Sequence, residues 1–153
     1  MKLIDGKGLA ETIKGEIAVE VQHIKAQGGK VPHLAAVLVG DDPASAAYVR
    51  NKVRSCEQCG FKSTLVRRDA DITEDELMGI INDLNMDDDI DGFIVQLPLP
   101  EHINDEDVTL AIKPSKDVDG FHPINFGRMG TGASCLFAGY AVWDFADVGT
   151  LRN

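Results

Sequence analysis

The chain is expected to fold as an α/β domain of three layers, α/β/α, around a mostly parallel sheet. Three observations predict it. Short apolar runs at 33–39, 63–67 and 90–97 alternate with stretches of helical patterning. Strands that alternate with helices require right-handed crossovers, which make neighbouring strands parallel. The helical stretches also carry their own start and stop signals.

Leu9, Ile13, Ile17, Val21 and Ile24 recur at helical spacing from Gly8 to about Gln27, and Gly28-Gly29 ends that helix. His33 to Val39 reads as a buried strand. Asp42 then caps a second helix, Pro43 suits its first position, and Gly60 closes it. Ser63 to Arg67 is a short second strand. Thr73-Glu74-Asp75-Glu76 is a capping box that opens a helix with Leu77, Ile80, Ile81 and Leu84 inward. Asp87-Asp88-Asp89 reads as a solvated turn. Ile90 to Leu97 is the third strand, and Pro98 and Pro100 force the chain out of the sheet. Asn104 caps a short helix through Ile112, and residues 113 to 123 have the chemistry of a loop. Beyond Gly130 the residues Phe137, Tyr140, Trp143 and Phe145 show no clean period, and that tail receives no assignment.

Composition narrows the function. A chain of 153 residues with 44% hydrophobic content can build one core. A net charge of −10 speaks against nucleic acid and against an anionic membrane surface as partners. The opening Met-Lys-Leu-Ile-Asp-Gly meets a charge and a glycine before any useful apolar run, so no leader is expected, and nothing approaches a spanning helix. Three cysteines do not suit a disulfide framework, and a cytoplasmic location is expected. Cys56 and Cys59 have redox or zinc spacing but no second pair, and are read as structural. His23, His33, His102 and His122 show no ligand spacing, so no metal is expected.

Chemistry concentrates on the second helix. Tyr48 and Lys52 are four residues apart, so a phenol and an amine stand on one face, beside the apolar stripe of Val49, Val53 and Cys56. They lie beyond the end of a strand, where open α/β sheets bind ligands. The plainer reading is a surface helix pair. Tyr-x-x-x-Lys also occurs in short-chain dehydrogenases, but nothing in residues 1 to 39 matches their glycine-rich turn. Asp117 and Asp119 alone could be turn formers, and Gln96 alone a polar residue leaving a strand. Gly127, Gly130 and Gly132 miss the spacing of a phosphate loop.

Four signals occur in order: Gly-Asp-Asp-Pro-Ala-Ser with Tyr48 and Lys52; Gly92 through Gln96-Leu97-Pro98-Leu99-Pro100; Pro114-Ser115-Lys116-Asp117-Val118-Asp119-Gly120; and Asn125-Phe126-Gly127-Arg128. Over residues 1–130 the chain resembles the amino-terminal catalytic domain of the methylenetetrahydrofolate dehydrogenase/methenyltetrahydrofolate cyclohydrolase family. The resemblance implies oxidation of methylenetetrahydrofolate with NADP (NAD in some members), then hydrolysis to 10-formyltetrahydrofolate. It implies that Lys52 is the key catalytic group, that Tyr48 stacks on the folate, and that Gln96 contacts the lysine. It further implies that Asp119 holds the pterin, with Leu97 and Pro98 in the substrate site.

These roles make physical sense. An ammonium has no acceptor, so a lysine base must act as the neutral amine. Partial burial and the cationic methenyl substrate both favour that form. Gln96 can hold an amine without adding charge, and Asp119 can accept paired N–H bonds.

The chain also departs from the family. The Rossmann domain expected to follow is missing, and Ser134-Cys135-Leu136-Phe137 stands where Pro-Cys-Thr-Pro is expected. Residues 131–153 are read as a non-matching tail and the chain as a truncated copy, with no NADP-binding domain. Three outcomes are expected to compete: a folate enzyme domain with at best weak cyclohydrolase activity, a folate-binding module, and an inactive remnant. The uncovered surface favours a homo-oligomer or association with a full-length copy.

Overall fold

The structure, a computed structural model, describes residues 5–133. Its elements are α1 (Gly6–Ala26), β1 (His33–Val39), α2 (Pro43–Cys59), β2 (Lys62–Arg68), α3 (Glu74–Met86), β3 (Gly92–Val95), α4 (Asp105–Ala111) and α5 (Pro123–Thr131). The three strands form one parallel sheet in the order β2-β1-β3. From β1 the chain therefore passes to one neighbour and then crosses back to the other side. This reversal between β1 and β3 is a topological switch point, whose carboxyl end is where such sheets take ligands.

Alternation along β1 sorts the core into two halves. Ala35, Val37 and Val39 pack with Phe93 and Val95 against Leu77 and Ile81 of α3 and Val108 of α4. Ala36 and Leu38 pack with Ile94 against Val49 and Val53 of α2. Both faces of β1 are thus covered, which is why its sequence is continuously apolar. Phe93, Leu77, Ile81 and Val37 are fully buried, and burial of each such side chain contributes about 1.5–3 kcal/mol. The three layers expected from the sequence are present.

Helix ends explain the boundaries. Asp5 accepts from Gly8 N (2.9 Å), so α1 starts two residues before the expected Gly8. Asp42 accepts from Ser45 N (2.6 Å) at the start of α2, and Gly60, at φ 80°, closes it. Thr73 and Glu76 form the expected box reciprocally. β3 is shorter than the expected 90–97. Gln96 N still bonds Val37 O (2.9 Å), but Pro98 follows, after a cis Leu97–Pro98 peptide.

Two expectations need correction. The 87–89 turn is not merely solvated: Asp89 accepts from His33 Nδ1 (2.9 Å) and Lys62 Nζ (3.3 Å), tying the loop to the starts of β1 and β2. Helix α5 was not anticipated. Pro123 starts it, His122 Nδ1 accepts from Ile124 N (3.1 Å), and Gly132, at φ 70°, stops it. The tail expected at 131–153 lies outside the described residues from 134 onward.

Three exposed carboxylates carry a pH signature. Asp42 and Glu76 are held below the ordinary carboxylate range by the backbone N–H groups they cap, and Asp89 chiefly by its hydrogen bond from His33. A depressed carboxylate contributes stability above its unfolded value, and that contribution is lost as pH falls through the folded one. Urea midpoints should therefore stay level through the neutral range and drop below about pH 4, where carboxyls protonate. Glu76→Gln should shrink that drop; an unchanged acid profile would contradict the assignment.

Candidate functional site

The carboxyl end of β3 gathers three segments. Helix α2 runs along the face that Ile94 packs on, and presents Tyr48 and Lys52 from it. The segment after α4 returns along the free edge of β3, with Phe93 N donating to Lys116 O (2.9 Å) and Phe93 bridging Asp117 in parallel. Two residues further on, Asp119 lines the same slot as Val95. The closeness of this return is why position 92 is glycine: a Cβ there would run into Val118 Cγ2 and Lys116 O.

The return loop is held by groups for which the sequence suggests at most a turn-forming role. Lys116 Nζ donates to the carbonyls of Leu84 (2.9 Å) and Asp87 (2.6 Å), a cation at the carboxyl end of α3. Asp117 is buried and accepts from Gly120 N (3.1 Å), His122 N (2.9 Å) and Asn125 Nδ2 (3.0 Å). Asn125, also buried, donates to Pro114 O (2.8 Å). Asp117 and Asn125 thus lock the loop to α5. No local pattern marks them, since their partners are distributed over twelve residues of turn and helix.

On this frame Asp119 meets Lys52. Lys52 Nζ donates to Asp119 Oδ1 at 3.0 Å and lies 5.1 Å from the Tyr48 ring centroid. The two charged side chains are 33% and 28% exposed, so the pair is reachable from solvent. Tyr48 is largely exposed. Leu97 and Asp119 line a narrow slot with Ile94 and Phe121, which adjoins a wider apolar groove along Leu110 and Pro123. Pro98 lies exposed beyond Leu97.

One expected contact is replaced. Gln96 does not hold the lysine; its Nε2 donates to Leu97 O (2.7 Å), and the ammonium takes the Asp119 carboxylate instead. A charged acceptor outcompetes a neutral amide for an ammonium. Gln96 Oε1 is left buried with no partner. The alternation that turns Ile94 toward α2 turns Gln96 the same way, so this acceptor lies on the Lys52 side of the sheet.

The other candidates are less suggestive. Burial pushes the thiols of Cys56 and Cys59 up, the opposite of an activated pair. Among the described residues no three His, Cys, Asp or Glu side chains gather as a metal site, and no helix is long and apolar enough to cross a membrane. The described residues do not fit NADP. Each helix that follows a strand has carboxylates where a pyrophosphate would sit: Asp42 capping α2, Glu74 to Glu76 on α3, Asp105 to Asp107 on α4.

Comparison with known proteins gives one answer. Residues 4–119 match the model for the tetrahydrofolate dehydrogenase/cyclohydrolase catalytic domain. The bifunctional protein FolD of Bacteroides fragilis is 60% identical over 135 residues, covering 88% of this chain and 46% of that protein. The Flavobacterium johnsoniae FolD is 64% identical over 129 residues, covering 84% and 44%. Among solved structures, the Campylobacter jejuni FolD superposes with a TM-score of 0.85 at 47% identity, covering 90% of this chain and 48% of that one. The Trypanosoma brucei enzyme, solved with NADP cofactor and an inhibitor, gives 0.80 at 33% identity, covering 84% and 43%. The chain spans about half the length of the curated relatives it matches.

Proposed function

Because the chain belongs to the tetrahydrofolate dehydrogenase/cyclohydrolase family, a family of folate one-carbon metabolism, we propose that its Lys52 cleft binds a reduced folate and hydrolyses the methenyl form. The observation that carries this reading is the Tyr48–Lys52–Asp119 cluster at the switch point of the sheet. In the proposal the exposed Tyr48 ring is the platform for the flat heterocycle, and Asp119 accepts its paired N–H donors. Leu97 and Pro98 border the bound ring. Lys52, once neutral, positions the water that attacks the methenyl carbon, and Gln96 Oε1 supplies an acceptor for its remaining N–H.

The catalytic domain is proposed to occupy residues 1–130, with Thr131 and Gly132 finishing α5 just past that bound and the remainder to 153 a non-matching tail, in a cytoplasmic protein. NADP supplies hydride acceptance in the family's dehydrogenase step, and no step through it is derived from this chain.

The test uses the purified chain. Loss of methenyltetrahydrofolate absorbance above the buffer rate is expected, together with about fivefold weaker folic acid binding in Tyr48→Ala, which loses a stacking contact worth about 1 kcal/mol. NADP-dependent turnover of methylenetetrahydrofolate is not expected. Folate binding that is absent altogether would end the reading.

One observation favours a second reading, in which the chain works by association. Leu110 and Phe121 are exposed along the apolar groove that they line with Leu97 and Pro123. A preparation inert alone and altering the activity of a full-length relative on mixing would mark that case.

A further inference from the structure

We propose that Asp119 caps Lys52 in the ligand-free chain, and that a ligand offering paired N–H donors removes the cap. The inference rests on the folate reading of the cleft and concerns how its amine is switched on. An ammonium donating to a carboxylate at 3.0 Å has no lone pair with which to accept a proton or attack a carbon. The site as it stands is therefore chemically quiet at its most reactive side chain.

Geometry indicates which partner yields. Asp119 sits on a loop pinned by Gly120 N on Asp117 and by Val118 packed over Gly92. Lys52 reaches the pair through a flexible four-carbon stem from α2. The carboxylate stays and the amine moves. Lys52 engages only Oδ1, which leaves Oδ2 for an incoming donor. A partly exposed ion pair is weak in water, whereas two hydrogen bonds to one carboxylate are strong and directional. A ligand that brings both donors displaces the ammonium from the carboxylate, and the freed ammonium then passes a proton to solvent water to become the neutral amine. The unpartnered Gln96 Oε1, buried on the same side of the sheet, is an acceptor that the released amine lacks elsewhere.

The experiment is mass-spectrometric acetylation of Lys52 with acetic anhydride at neutral pH, referenced to exposed Lys7. Asp119→Asn should raise Lys52 labelling about two- to fivefold, the factor that a partly exposed ion pair sets. Adding 2-amino-4-hydroxypteridine, which offers the donor pair without the rest of folate, should raise it in the wild-type chain and not in Asp119→Asn. Should Asp119→Asn fail to melt cooperatively, wild-type labelling in 1 M NaCl replaces it, and screening should give the same rise. Flat labelling in either the variant (or salt) arm or the pteridine arm overturns the proposal. Folic acid binding to wild type, measured separately by dialysis, judges the folate reading: binding with flat labelling removes the cap alone, and a labelling rise without folic acid binding removes the folate reading alone.

Discussion

Lys52→Met should reduce methenyl hydrolysis by about 10²–10⁴-fold, the usual contribution of a positioned acid–base group. The thermal midpoint should move little. Methionine keeps the unbranched stem along Tyr48 and removes only the amine, and the Asp119 it leaves is 28% exposed, so water takes up the vacated oxygen. Lys52→Arg is the sharper variant. It preserves the positive charge and the carboxylate partner, but a guanidinium does not give up its proton in a protein. If the amine works as a neutral group, arginine is as inactive as methionine. Hydrolysis by Lys52→Arg at the wild-type rate would show that only the charge matters, and the proposed water-positioning role would fall.

Asp117→Ala should cost about 3 kcal/mol, since each buried donor left without a partner costs about 1–3 kcal/mol and two lose theirs, His122 N and one Asn125 N–H, while Gly120 N keeps the Asp117 carbonyl (3.3 Å). Gly120 N, His122 N and Asn125 Nδ2 all point at this one carboxylate inside a buried pocket. For a chain of this size the loss corresponds to a fall of about 10 °C in the thermal midpoint. Asp117→Asn, which keeps an acceptor oxygen, should lose distinctly less. An alanine variant that melts with the wild type would mean that water replaces the carboxylate, and the frame around Asp119 would need another explanation.

The parts of the fold legible in the sequence are those written locally. Asp42-Pro43 and Gly60 bracket α2 because capping and left-handed closure are decided within a turn. The Thr73–Glu76 box is legible for the same reason. The pairing of Tyr48 with Lys52 also follows from helical spacing. Helix α5 was hidden because Gly127 and Gly130 dilute a nine-residue pattern, while the residue that caps it, His122, is not a usual cap. The true partner of Lys52 was hidden for a different reason. Asp119 lies 67 residues away, and only the return of the chain along β3 brings it there. Asp89 shows the same limit, since an acidic triplet gives no sign that His33 and Lys62 will meet it.

The span between Lys52 and Asp119 has a kinetic consequence. β1 joins β2 across a short crossover, but β3 must travel back over the intervening chain to reach β1's other edge, and the return loop must follow it. Contacts between distant parts of a chain form late, because the entropy of closing the loop comes before any reward. The amine and carboxylate therefore meet only when the last edge of the domain has docked. A chain whose β3 and return loop have yet to dock lacks the pair, so protection of that amine reports their arrival.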